Sequence, residues 1–195
     1  MTKVLYIYGY GSTEKSETAK NLQEVLGDDF EVVSFRYNQE DPIRSISYFQ
    51  DLIVNEQIDL VIGSSLGGFF AIASRNYVPI IVINPCLCPS YELPKIGCPS
   101  EIAQRYTDAE MMLESFENDE REYCYGFFGT HDELIDYRRV FGMRFGSYAE
   151  FNSGHRPTKE ELKAIVPIIK DKVDYWNSVE CSNKVSMFDS VDGLY

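Results

Sequence analysis

Short runs of apolar residues alternate along this chain with stretches that carry apolar positions at helical spacing. Lys3 to Tyr8 predicts a first strand, broken by the loop Gly9-Tyr10-Gly11-Ser12. A helix is expected from about Ser16 to Leu26, with Ala19, Leu22, Val25 and Leu26 on one face and Gly27 at its end. Glu31 to Phe35 predicts a second strand. Asp41-Pro42 then opens a second helix, Asp as N-cap and Pro at the first helical position, with Ile43, Ile46, Phe49, Leu52 and Ile53 on its apolar face. Asp59 to Ile62 predicts a buried third strand, Gly68 to Arg75 a short buried helix, and Val78 to Ile83 a fourth strand.

The segment from Asn84 to Gly97 is irregular. Ser100 caps a helix expected to run to about Glu117, with Ile102, Ala109, Met112, Leu113 and Phe116 at helical spacing. Tyr123 to Phe128 and Tyr148 to Phe151 complete the strands, with a helix from Asp136 to Phe145 between them. Thr158 and Glu161 form a capping box for a last helix, which Pro167 is expected to kink or split. Strands apolar throughout and alternating with helices predict an α/β fold: a three-layer, doubly wound, mostly parallel sheet. The domain is expected to span residues 1–178, and 179–195 form a tail without a clear period.

A chain of 195 residues suffices for one domain with a real core. The net charge of −13 argues against nucleic acid or an anionic membrane as partner, since both call for basic patches. No apolar segment approaches the length of a membrane span. The five cysteines are an odd number, and the N-terminus has no export signal, so free thiols in the cytoplasm are expected. Cys86-x-Cys88 is too close, and too poor in further ligands, for zinc; it reads as packing. Gly9-Tyr10-Gly11 has neither the Lys-Ser/Thr of a phosphate loop nor the third glycine of a dinucleotide site. No metal or cofactor is expected. A homodimer is compatible with the chain, although nothing in the sequence locates an interface.

The chemistry concentrates at Gly63-Ser64-Ser65-Leu66-Gly67. This G-x-S-x-G pattern lies between a strand and a helix, where it would set Ser65 on a sharp, strained turn. A serine hydroxyl needs a base in reach and a carboxylate to fix that base's tautomer. Only two histidines are present. His155 follows the last strand, and Asp132 lies in the loop after the preceding one. In a doubly wound sheet these loops meet at the C-terminal edge of the strands. Ser65 is therefore read as nucleophile, His155 as base and then acid, and Asp132 as its orienter. Glu133 and then Asp136 are substitutes for the acid, and His131 for the base. Two backbone N–H groups would hold a developing oxyanion: Leu66, which follows the nucleophile, and Tyr10, in the glycine-flanked loop after the first strand. The stretch Asn84 to Glu120 has room for a flap but not for a large cap domain.

Tyr8-Gly9-Tyr10, Gly63-Ser64-Ser65-Leu66-Gly67-Gly68, Asn84-Pro85 and Gly129-Thr130-His131-Asp132-Glu133-Leu134-Ile135-Asp136-Tyr137 together resemble the small bacterial YqiA/YcfP-type esterases. The resemblance runs from about residue 3 to 170. It implies a compact α/β-hydrolase without a large cap, a Ser65–Asp132–His155 triad, and a small-molecule ester with a short acyl group as substrate. Thioesterase or peptidase chemistry on the same triad, and a non-catalytic binding protein on this frame, are the alternatives. The chain departs from the family in carrying Tyr8-Gly9 where His-Gly is usual, and Cys86-Leu87-Cys88-Pro89 after Asn84-Pro85.

Overall fold

In this computed structural model the backbone is described for residues 1–74, 78–115 and 120–189, and the side chains for the same residues except 115, 120 and 180–189. Arg75, Phe116 and Glu117, which the sequence assigns to helix ends, lie outside the described residues.

Six parallel strands form one sheet in the order β2-β1-β3-β4-β5-β6. The strands are β1 (Thr2–Ile7), β2 (Phe30–Val33), β3 (Leu60–Ser64), β4 (Ile80–Ile83), β5 (Cys124–Gly129) and β6 (Ser147–Phe151). All four residues of β4 are buried, as are Val4 to Ile7 of β1, which requires cover on both faces. The chain steps from β1 outward to β2 and then reverses across β1 to β3. Right-handed crossovers therefore send α1 (Glu17–Leu26) to one face, and α2 (Pro42–Asn55) and α3 (Leu66–Ala73) to the other. The last helix, α8 (Lys159–Asp189), packs beside α1. The loops after β1 and β3 diverge at this reversal, which opens a crevice between them.

The caps follow the sequence. Ser16 accepts from the N–H of Ala19, and Asp41 from that of Arg44. Thr158 and Glu161 bond each other's backbone N–H.

Three elements differ from the sequence reading. The expected continuous helix from Ser100 is divided: after α4 (Pro89–Glu92) come α5 (Ser100–Ala103), α6 (Tyr106–Met111) and a 3-10 turn over Met112–Ser115. At the break, Arg105 donates to the carbonyl of Glu40 and the Tyr106 hydroxyl to that of Gln39. The segment also does more than cover the site. Ala103, Tyr106, Ala109 and Leu113 are buried, and the Tyr106 ring meets those of Phe69 and Phe70 on α3. The helix expected from Asp136 is short, α7 (Arg138–Arg144). Finally, of the two expectations for Pro167 the split does not occur: α8 (Lys159–Asp189) continues through it. Pro167 is exposed, so the carbonyl it deprives of a partner can be solvated. Leu162, Ile165, Ile169, Val173 and Trp176 anchor α8 on both sides of it. No helix among the described residues is long and apolar enough to cross a membrane.

Candidate active site

The turn from β3 into α3 places Ser65 at φ 52° and ψ −122°. A non-glycine residue in such a conformation stores on the order of 1–3 kcal/mol and needs its surroundings to hold it there. The Ser65 N–H donates to the carbonyl of Ile83 at 3.0 Å, and its own carbonyl accepts from Gly68 and Cys86, both at 2.9 Å. A Cβ on Gly67 would stand 1.9 Å from the Ile7 carbonyl oxygen, and one on Gly63 2.3 Å from that of Gly67. Helix α3 therefore begins in direct contact with the β1 backbone, which no side chain at position 67 would permit.

Three strand ends converge on this serine. His155 Nε2 lies 2.9 Å from Ser65 Oγ, and His155 Nδ1 lies 2.8 Å from Asp132 Oδ2. An ionised carboxylate only accepts, so the imidazole proton sits on Nδ1 and leaves Nε2 to accept from the serine hydroxyl. Both the His155 and Asp132 side chains are only 6% exposed. Burial pushes the Asp132 carboxyl up, but the bonds from His155 and from the N–H groups of Ile135 and Leu134 outweigh it and hold the group below its ordinary value. Asp132 is thus kept as an anion facing an imidazole. This arrangement can draw the proton from Ser65 Oγ and stabilise the imidazolium that results.

The substitutes take other places. Glu133 accepts from the backbone N–H of His155 at 3.1 Å, so it braces the histidine loop without touching the imidazole. Asp136 is tied to Arg138. His131 is exposed, and its N–H donates to the carbonyl of Ser153.

One residue at the site has no role in the sequence reading. Asn84, 1% exposed and at φ 46°, follows β4. Its Oδ1 accepts from Gly129 at 2.7 Å, and its Nδ2 donates to the carbonyls of Gly154 at 3.0 Å and His155 at 3.1 Å. It joins the ends of the strands that carry the acid and the base. The available signal was an Asn-Pro pair directly after a fully apolar strand.

Leu66 begins α3, so its N–H has no carbonyl one turn back within the helix. Gly9 and Tyr10 line, with Ser65 and His155, a cleft of about 450 Å³. Ser12, Thr18, Asn21 and Arg156 add polar walls; Ile96, Leu134 and Pro157 are its aliphatic lining. The Tyr6 hydroxyl, 2.6 Å from Ser64 Oγ, closes one side. Tyr8 is buried against Tyr37, with ring centroids 4.7 Å apart. The thiols of Cys86 and Cys88 are free, and burial pushes both up, which suits packing rather than reactivity. The described residues hold no cluster of side chains suited to a metal ion.

The fold is that of the α/β-hydrolases. Structures of this class superpose over nearly the whole chain. Est1E from Butyrivibrio proteoclasticus, solved with ferulic acid, has a TM-score of 0.67 at 10% identity and covers 89% of this chain and 90% of its own. The esterase domain of a Rhodothermus marinus protein gives 0.62 at 12% identity, covering 86% and 84%. MGS-MChE2, an alpha/beta hydrolase enzyme from a lagoon-sediment metagenome of Mar Chica, Morocco, gives 0.60 at 10%, covering 90% and 92%. No curated protein matches the chain in sequence. Within this class the chain belongs to the family described as Uncharacterised protein family (UPF0227), which it matches over residues 3–155. That family corresponds to the YqiA/YcfP-type resemblance read in the sequence.

Proposed function

We propose that this protein is a serine hydrolase, a carboxylesterase that cleaves short-acyl esters through an acyl-enzyme on Ser65. The observation that carries the reading is the unbroken line of hydrogen bonds from Asp132 through His155 to a serine held at positive φ. In the proposed reaction His155 takes the Ser65 proton as Oγ attacks the acyl carbon, and Asp132 stabilises the imidazolium. The N–H groups of Leu66 and Tyr10 receive the charge on the carbonyl oxygen. His155 then protonates the departing alcohol, and water attacks the acyl-enzyme by the same steps in reverse.

The short-acyl preference rests on the cleft. At about 450 Å³ the cleft lies toward the small end of ligand pockets, and Ile96, Leu134, Pro157 and the rings of Tyr6 and Tyr10 supply its apolar surface, which leaves little room for a long alkyl chain. The esterases among the fold neighbours support the general class at the level of architecture. A series of p-nitrophenyl esters from acetate to decanoate tests both claims. Hydrolysis should fall off beyond about eight acyl carbons, given the limited volume of the cleft, and disappear in Ser65→Ala. Rates that climb steadily with chain length contradict the substrate assignment, and activity that survives in Ser65→Ala contradicts the nucleophile.

A further inference from the structure

The turn Gly9-Tyr10-Gly11-Ser12 carries one of the two N–H groups assigned to the oxyanion, yet little within it is stiff. One internal bond closes it, from the Ser12 N–H to the Gly9 carbonyl at 3.2 Å, and Gly11 sits at φ 71°. Glycines on both sides of Tyr10 leave its peptide free to rotate. A donor that wanders loses much of its value, because oxyanion stabilisation depends on dipoles fixed in advance of the reaction.

The stiffness comes from across the cleft wall. Gln39, in the loop between β2 and α2, reaches over with its carboxamide and grips the turn on both sides of Tyr10. Its Oε1 accepts from the Gly11 N–H at 3.0 Å, and its Nε2 donates to the Gly9 carbonyl at 3.2 Å. Neither bond uses the Tyr10 N–H. Gln39 is itself held from two directions. The hydroxyl of Tyr106, fully buried, donates to its backbone carbonyl at 2.6 Å, and Nε2 also reaches the Tyr37 hydroxyl at 3.4 Å. The Tyr37 hydroxyl in turn donates to the Tyr8 carbonyl at 2.7 Å, just upstream of the turn. The gripped turn lies against the nucleophile: a Cβ on Gly9 would be 3.0 Å from Ser65 Cβ.

We infer that Gln39 is a positioning residue for the oxyanion site, its carboxamide holding the Gly9–Tyr10 peptide, which bears the Tyr10 N–H, by its carbonyl and the Tyr10–Gly11 peptide by its N–H. The inference rests on the serine-hydrolase reading above. It assigns to Gln39, Tyr37 and Tyr106 the task of ordering the oxyanion turn in a chain whose Tyr8 is packed into the core. Gln39 contacts neither His155 nor Asp132, so the proton chemistry should be indifferent to it.

The test uses Gln39→Leu and Gln39→Glu in the full-length protein. The second variant is nearly isosteric and keeps the acceptor for Gly11 but cannot donate to Gly9. The readouts are kcat and KM on p-nitrophenyl acetate, the pH midpoint of kcat/KM, and the Ki of a short alkyl trifluoromethyl ketone. In that inhibitor complex Ser65 Oγ adds to the carbonyl carbon, the serine proton passes to His155, and the former carbonyl oxygen becomes an oxyanion. Losing one oxyanion donor outright costs about 10²–10³ in rate, so loosening one should lower kcat roughly tenfold. The expected result is that loss in both variants, with KM within about twofold, the pH midpoint unmoved, and Ki weakened in parallel with kcat/KM. The inference is overturned if either folded variant keeps wild-type kcat, if the loss falls on KM, or if Ki does not follow. A wild-type protein that neither hydrolyses the ester nor binds the ketone overturns the hydrolase reading itself, which a defect confined to the Gln39 variants would leave standing.

Discussion

The side-chain amide of Asn84 donates to the backbone carbonyl of His155 at 3.1 Å, from a position at the end of β4 where it is almost wholly buried. The same carboxamide accepts from Gly129 and donates to Gly154, so one residue sets the separation between the acid-bearing and base-bearing loops. Replacing it with alanine would leave the Gly129 N–H and the His155 carbonyl without partners in the interior, while the Gly154 carbonyl keeps the Ser153 hydroxyl. Each such group costs roughly 1–3 kcal/mol, so Asn84→Ala should destabilise the protein by about 3 kcal/mol and lower kcat more than KM. Urea unfolding and steady-state kinetics check this; a loss under about 1 kcal/mol contradicts the bridging role.

The assignment of Asp132 rather than Glu133 as the acid gives a paired expectation. Asp132→Asn can still accept from Leu134 and Ile135 but favours the wrong tautomer of His155, and kcat should fall by about 10³–10⁴-fold. Glu133→Gln keeps an acceptor for the His155 N–H, and kcat should change less than about threefold, as for a neutral hydrogen bond retained. Equal losses in the two variants contradict the assignment.

Stability in acid should carry the signature of Asp132. Its folded-state value lies below the ordinary carboxylate value, so the folded protein binds that proton less readily than the unfolded chain. The contribution is complete above the unfolded value of about 4 and is lost as pH falls through the lower folded value. The stability gap between wild type and Asp132→Asn, read by urea unfolding, should narrow as pH falls below about 4. A gap that widens below that pH has the wrong sign for this account.

The close approach of α3 to β1 predicts a severe effect from a single methyl group. Gly67→Ala would set its Cβ against the Ile7 carbonyl with no flexible side chain to give way. The variant should lose more than about 3 kcal/mol or fail to fold. Thermal unfolding within a few degrees of wild type contradicts the packing described at the elbow.

The sheet and its order of elements were legible because each central strand is apolar on both faces, as Ile80 to Ile83 illustrates. The meeting of Ser65, Asp132 and His155 could be anticipated because each follows a strand, and parallel strands deliver such loops to one edge. Asn84 was named within the Asn84-Pro85 motif, but its bridging role was hidden because it depends on carbonyls 70 and 71 residues away, which no local pattern encodes. Gln39 was hidden for the same reason, since its partners belong to the loop after β1. The break near Arg105 was illegible because the apolar spacing continues through it, while what interrupts the helix is a pair of bonds to Gln39 and Glu40. That Pro167 does not split α8 was not legible, because it depends on which face of the helix the proline occupies.

The most direct test of the central claim is covalent labelling by a fluorophosphonate in wild type, Ser65→Ala and His155→Ala, with folding of each checked by circular dichroism. The account predicts stoichiometric labelling of wild type at Ser65 and none in either variant. A folded wild type that takes up no label, or a His155→Ala variant labelled as fast as wild type, contradicts it.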